Sequence, residues 1–212
     1  MSKSVYSIVL SDEVVEAVDR AAYENGLSRS SMIDRLLAQA VSCVTPEMRM
    51  QEIFSQVEQL LTVSGVFQPM LQPSKSMMSL RSALRYKYNP TVRYSVELDA
   101  GKPGEGTLRV SLRSQSSTLI LYFSRFFRLW VSVESQLAGV PDCRMEEGGF
   151  SRRFSLPQNL SEQQQGEMLA AYIQAMQTGM KGFFTDVEAF PNAAVDAVEN
   201  ACEDYYRQYT AI

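Results

Sequence analysis

The sequence contains no histidine. Imidazole is the commonest metal ligand and the commonest proton carrier near neutral pH, so its absence removes most metal-sensing sites and most hydrolytic mechanisms together. Only three cysteines are present, Cys43, Cys143 and Cys202, odd in number and far apart. That spacing supplies neither a disulfide framework nor a CxxC metal site, and it reads as buried or half-buried free thiols. No nucleophile–base constellation can be assembled from what is left, so no enzyme, metal or cofactor is expected. Long apolar runs are missing too. The most apolar stretch, residues 118–133, is interrupted by Arg125 and Arg128 and falls short of the roughly 18 unbroken residues that a membrane helix needs. The opening Met1-Ser2-Lys3-Ser4 leads straight into an alternating tract, with no apolar signal core. The expectation is a cytoplasmic protein without a membrane partner.

What is present fits a folded chain. Of 212 residues, 45% are hydrophobic and 21% charged, which is enough apolar content to build a core and argues against wholesale disorder. The length allows one or two domains. The net charge of −4 conceals a strong segregation. Residues 1–45 hold four bases and six acids, residues 46–74 one base and three acids. Residues 75–133 hold ten bases and three acids, and residues 134–212 five bases and twelve acids. A basic block is therefore followed by an acidic tail.

The chain opens with a short β-rich run, Val5-Tyr6-Ser7-Ile8-Val9-Leu10, ending at Ser11-Asp12-Glu13. Ser11 reads as a helix N-cap, with Asp12 and Glu13 placed at the positive end of the helix dipole. Val14, Val15, Val18, Ala21 and Ala22 then repeat at helical spacing. Asn25-Gly26 closes that helix, and Ser28-Arg29-Ser30-Ser31 opens a second one, whose apolar face is Met32, Ile33, Leu36, Leu37, Ala40 and Val41. Residues 46–74 read as a helix over 47–63 followed by a Gly- and Pro-containing linker. Residues 77–88 are ambiguous between helix and strand.

Beyond Asn89-Pro90, Val92, Tyr94, Val96 and Leu98 alternate with polar residues as a half-buried strand does, and Leu108, Val110 and Leu112 repeat the pattern. The Gly-rich segment 99–106 between them lacks the spacing of a phosphate-binding loop and reads as a hairpin turn. A long aromatic-rich helix over 116–137, a strand over 149–156 and two further helices, from Leu160-Ser161-Glu162 and after Pro191, complete the chain. Phe123, Phe126, Phe127 and Trp130 read as core. Tyr205, Tyr206 and Tyr209 read either as an oligomer contact or as a cap on the core. The expected class is α+β, with residues 75–212 forming a small antiparallel sheet covered by helices.

Strand, Ser-Asp-Glu, striped helix, Gly and Ser-Arg-Ser opening a second helix, all within residues 3–41, resembles the ribbon-helix-helix family of DNA-binding proteins, the MetJ/Arc/CopG type. The resemblance covers about a fifth of the chain. It implies an intertwined homodimer, with residues 1–45 as the DNA-binding and dimerisation domain, and a two-stranded ribbon laid in the major groove of double-stranded DNA. Tyr6, Ile8 and Leu10 would face the helices. Lys3, Val5, Ser7 and Val9 would face the bases, and Ser28, Arg29 and Ser30 a phosphate at the helix N-terminus. The implied function is a sequence-specific transcriptional regulator. A plasmid-maintenance or conjugation accessory protein, or a ribbon-helix-helix used only for pairing, are the alternatives. The departure from the family is plain: Val5, Ser7 and Val9 stand where basic or amide side chains are usual. The role of residues 75–212 stays open between oligomerisation, with a tetramer as one outcome, and effector sensing. Arg81, Arg85, Lys87, Arg93, Arg109 and Arg113 are candidates for a second nucleic-acid surface, for a small anionic effector, or for a solvated face balanced by the acidic tail.

Overall fold

A computed structural model describes residues 5–41, 43–71, 74–209 and 212. Contacts divide the chain into two units, residues 1–49 and 50–212.

The first unit is a pair of helices. α1 (Asp12–Glu24) starts after Ser11 in extended conformation, with Asp12 and Glu13 in its first turn. It ends at Asn25, and Gly26 takes a positive φ of 61°, a conformation a side chain would strain. α2 (Arg29–Ala40) is capped by Ser28, whose Oγ accepts from the backbone N–H of Ser31. The helices meet through a small cluster of Val18, Ala22 and Met32, with Ala21, Leu27 and Ile33 packed against it. The expected strand at residues 5–10 is not formed in the single chain: helices come first, and these residues are exposed and without regular secondary structure. The reason is physical. A strand exists through its ladder, and no strand among the described residues of this unit offers one.

The second unit begins within α3 (Pro46–Val63), which buries Met50, Ile53, Phe54, Val57 and Leu61. Six strands follow: β1 (Phe67–Pro69), β2 (Met77–Ala83), β3 (Thr91–Leu98), β4 (Glu105–Leu112), β5 (Cys143–Glu146) and β6 (Gly149–Ser155). They form one antiparallel sheet in the order β1-β2-β3-β4-β6-β5. α4 (Ser117–Ala138) intervenes between β4 and β5, and α5 (Glu162–Asp186) and α6 (Pro191–Gln208) close the chain. The architecture is α+β. β1 lies inside the segment expected to be linker, and its Pro69 is tolerated because the strand is at the sheet edge. Of the ambiguous residues 77–88, Met77–Ala83 form strand β2, because Met78, Leu80 and Ser82 share the buried face across from Val96, Tyr94 and Val92, and the rest belong to the β2–β3 connection.

Alternation sends one set of strand side chains into a core shared with the helices. Val92, Tyr94, Val96, Leu108, Val110, Phe150 and Phe154 are buried, and α4 inserts Phe123, Phe126, Phe127 and Trp130 against them. The ring of Phe127 stacks on Phe150 with centroids 4.2 Å apart. Each such fully buried side chain contributes roughly 1.5–3 kcal/mol. α5 approaches α6 so closely that a Cβ on Gly182 would lie 2.5 Å from the Cβ of Ala197. Tyr205 is buried, and Tyr206 and Tyr209 are partly buried against the same core.

Arg152 enters this core from β6, between Phe150 and Phe154, and is 4% exposed. Its Nη2 lies 2.7 Å from Glu134 Oε1 on α4, a side chain with no exposure. Tyr172 and Tyr206 donate their hydroxyl protons to the same carboxylate. Trp130 Nε1 donates to the Tyr172 hydroxyl at 3.0 Å, and the Arg152 guanidinium lies over the Tyr172 ring. Pairing offsets the removal of the two charges from water, and the Glu134 carboxylate is well supplied with donors, but Arg152 Nε and Nη1 are buried without a hydrogen-bond partner among the described residues. Burial also raises the Tyr172 and Tyr206 hydroxyls well above the ordinary tyrosine range.

Glu134→Gln, which strands the guanidinium, is expected to cost about 3–5 kcal/mol, whereas Glu134→Leu combined with Arg152→Met should lose far less. Urea denaturation of the three proteins checks this, and equal losses would show that packing, not charge, is at stake. The thiols give a second check. Cys43 is exposed, Cys143 half-buried and Cys202 buried, with burial first and the Glu134 charge second pushing the Cys202 thiol up to about 12. A thiol reagent should modify Cys43 first and Cys202 only on unfolding.

Candidate nucleic-acid interface

In the first unit the base-facing candidates Val5, Ser7 and Val9 are exposed, and both valines are 100% accessible. Lys3 lies outside the described residues. Tyr6, Ile8 and Leu10 are 82%, 55% and 38% exposed, so the side expected to face helices becomes steadily more covered towards α1. Val14, Leu36, Leu37, Val41 and Val44 are exposed as well. Of the twenty large apolar side chains exposed among the described residues, eleven fall between residues 5 and 44. A unit of this size with four buried apolar residues of its own, two of them alanines, cannot balance the entropy of ordering. Its apolar surface requires a cover.

The phosphate-facing candidates sit at the start of α2, as the sequence implies, but two are engaged within the chain. Ser28 Oγ is committed to the cap. Arg29 donates from Nε and Nη2 to the two carboxylate oxygens of Asp19 at 2.6 and 2.5 Å. The bond to Arg29 holds the Asp19 carboxyl below its usual range. Both side chains are about half exposed, so solvent screens the pair and Arg29 can exchange Asp19 for a phosphate. Ser30 is exposed at the helix end.

In the second unit the basic candidates divide. Arg81, Arg93 and Arg109 come together on the face of the sheet opposite the core. The register places Arg81 directly across from Arg93, Arg93 across from Ser111, and Ser95 across from Arg109. Arg85 and Lys87, on the β2–β3 connection, leave this set. Lys87 and the Tyr86 hydroxyl donate to Glu188, and the Arg85 charge, after burial, holds the Lys181 ammonium below its usual range. Arg113 is exposed just past the end of β4. Two members of the open face went unnoticed in the sequence, Arg144 and Arg153. Arg144 is across from Ser151, which is across from Arg109, and Arg153 is across from Thr107. The alternation Ser151, Arg153, Ser155 was the signal for Arg153; the four-residue β5 left none for Arg144.

The partners on this face are mostly neutral. Arg81 Nε donates to Gln68 Oε1 at 3.0 Å, and Arg93 Nη2 donates to Ser79 Oγ at 3.2 Å. Ser79 in turn shares a 2.9 Å hydrogen bond with Ser95. Neither Arg81 nor Arg93 meets a carboxylate among the described residues. Arg109 and Glu97, and Arg153 and Asp142, approach only to 3.6 Å. A cleft of about 790 Å³ opens at one end of the sheet, but Glu97, Asp99, Glu105 and Asp142 line it against Lys102 and Arg153. That balance of charge does not favour an anionic effector there.

No family model matches the chain, and no curated protein or solved structure matches it. The functional argument therefore rests on these residues.

Like charges placed directly across an antiparallel pair are destabilising. Arg93→Gln should consequently raise the stability of the protein by about 0.2–1 kcal/mol, seen as a higher urea midpoint at unchanged slope. A lower midpoint would mean that the bond to Ser79 outweighs the repulsion from Arg81.

Proposed function

We propose that this protein is a dimeric, sequence-specific DNA-binding transcriptional regulator of the ribbon-helix-helix type. The observation that carries the reading is the exposed, apolar-rich tract of residues 5–10 directly ahead of a helix with Asp12 and Glu13 in its first turn, Gly26 and a second helix capped by Ser28. Two copies of that tract, antiparallel about a two-fold axis, supply each other's ladder and bring Tyr6, Ile8 and Leu10 onto the exposed apolar faces of four helices. Val5, Ser7 and Val9 then project from a two-stranded ribbon of the size that fits the major groove. Valine offers contact to a thymine methyl, and Ser7 a hydrogen bond to a base edge. Arg29 and Ser30, with the free N–H groups at the start of α2, take a phosphate once Arg29 leaves Asp19. The two-fold axis demands palindromic half-sites.

A second reading is favoured by a specific observation, the engagement of Arg29 with Asp19 in a unit whose acids outnumber its bases. In that reading the same dimer only joins two copies of the α+β unit.

Selection of bound sequences from a random duplex pool by the full chain separates the two. A regulator enriches a palindrome; Ser7→Ala loses the preference, and Arg29→Ala weakens binding evenly across sequences. A dimer that enriches nothing supports the pairing-only reading, and unchanged selection in both variants removes their assigned roles. Leu10→Asp, read by sedimentation, should shift dimer to monomer and abolish selection with it.

A further inference from the structure

The open face of the six-stranded sheet carries a cost that the fold itself does not need. Arg81 and Arg93 occupy directly opposed positions on neighbouring strands, which lie about 4.8 Å apart. Their only hydrogen bonds among the described residues go to neutral oxygens. Arg109 stands on the next strand, diagonal to Arg93, and Arg144 and Arg153 continue the set onto β5 and β6. The floor between them is of hydroxyls: the register sets Ser79, Ser95 and Ser151 in one row with Arg109, and Ser111 in the next row with Arg81 and Arg93. Ser79 is only 2% exposed although it belongs to this face, because the Arg93 guanidinium is held over it. Those guanidiniums are thus positioned in advance, which lowers the entropy lost when an anion arrives. The carboxylates near this face are matched to other bases: Glu97 on β3 approaches Arg109 to 3.6 Å, Asp142 approaches Arg153 to 3.6 Å, and Glu105 is paired with Lys102, which leaves Arg81 and Arg93 as the pair that meets no carboxylate among the described residues.

We propose that this face binds the phosphate backbone of double-stranded DNA, independently of sequence. The proposal rests on the reading of the chain as a DNA-binding protein. Three properties of the surface point to a duplex. Arg81, Arg93 and Arg109 are exposed on three adjacent strands and are not part of the lining of the cleft at the end of the sheet. The surface presents no aromatic side chain on the described strand positions of this face, so it offers no stacking platform for unpaired bases. It presents no apolar anchor of the kind that dominates protein–protein interfaces; only Met77 and Ala83 interrupt the polar field on the long strands. Guanidiniums over a serine floor are what repeated phosphate oxygens need: charge, planar donors and short hydroxyl donors.

The test uses the full chain, wild type and Arg81→Gln/Arg93→Gln, with two duplexes of equal length, one carrying the selected palindrome and one lacking it. Binding is followed against salt. Each phosphate contact contributes roughly 0.9 to the slope of log affinity against log salt, so the double variant should lose about 1.8 on both duplexes. Its thermal midpoint should equal or exceed that of the wild type, which separates lost contacts from lost folding. Unchanged slopes on both duplexes overturn the proposal and leave the N-terminal reading standing. Equal wild-type affinity for both duplexes, with the slope still falling in the variant, removes the N-terminal reading and supports the sheet. Binding of neither duplex overturns both. If the variant loses affinity for polyglutamate but not for DNA, the face receives an acidic protein, and the proposal is overturned.

Discussion

An extended backbone presents an N–H and a C=O at every residue and can satisfy neither within itself. Residues 5–10 meet this constraint in its hardest form: six consecutive exposed residues, four of them large and apolar besides Leu10, and no strand among the described residues of the first unit to pair with. Water can take the backbone groups of an isolated tract, but it cannot reward the exposure of Tyr6, Ile8 and the valines. The two helices behind the tract share the difficulty, since their contact buries little beyond Val18, Ala22 and Met32. One event resolves both problems, the arrival of a second identical surface, because an antiparallel ribbon is its own complement under a two-fold rotation. Dimerisation and the proposed reading of DNA are therefore one structural event on this view, and a substitution that spoils the first spoils the second.

The second unit meets a different constraint. Its sheet is covered by helices on one face, and the buried face contains an arginine. Arg152 is there because alternation leaves β6 no choice: between Phe150 and Phe154 it must point inward. Glu134, two tyrosines and a tryptophan then have to converge on it from α4, α5 and α6. An apolar pair could fill the same space as stably. What the network adds is direction, because the Glu134 carboxylate takes its contacts from β6, α5 and α6 at once. The core is thereby fixed in register, and the open face, built from the alternate residues of the same strands, is fixed with it.

Much of this was legible in the sequence because it is local. Helix ends followed from Ser28, Ser116, Ser161, Gly26 and Pro191, and the β3–β4 hairpin from strict alternation around a Gly-rich turn. What could not be read depends on pairing across the chain. β1 and β5 are too short for a period to develop, and they exist because β2 and β6 offer edges to them. The split of the basic block has the same origin. Arg81, Arg85 and Lys87 look alike in sequence, yet the turn after Ala83 ends the alternation and carries Lys87 to Glu188, about a hundred residues away. The charge of Arg29 was visible, but its engagement by Asp19 depends on how α1 meets α2.

A chain with a net charge of −4 is an unpromising partner for DNA when treated as a single sphere. At physiological salt, however, charges separated by more than about 8 Å hardly sense one another. What a phosphate meets is the local field, and on the open sheet face that field comes from opposed and diagonal guanidiniums set within one such length. Acids of residues 134–212 meet bases directly, Asp142 at Arg153 and Glu188 at Lys87, and leave Arg81 and Arg93 without a carboxylate among the described residues. Segregating charge, instead of making the whole chain basic, confines the attraction for a phosphate to the strands where the register concentrates arginine. On the proposed reading, that is how a domain with only Val5, Ser7 and Val9 facing the bases can hold a site: the sheet supplies the affinity, and the ribbon has only to choose.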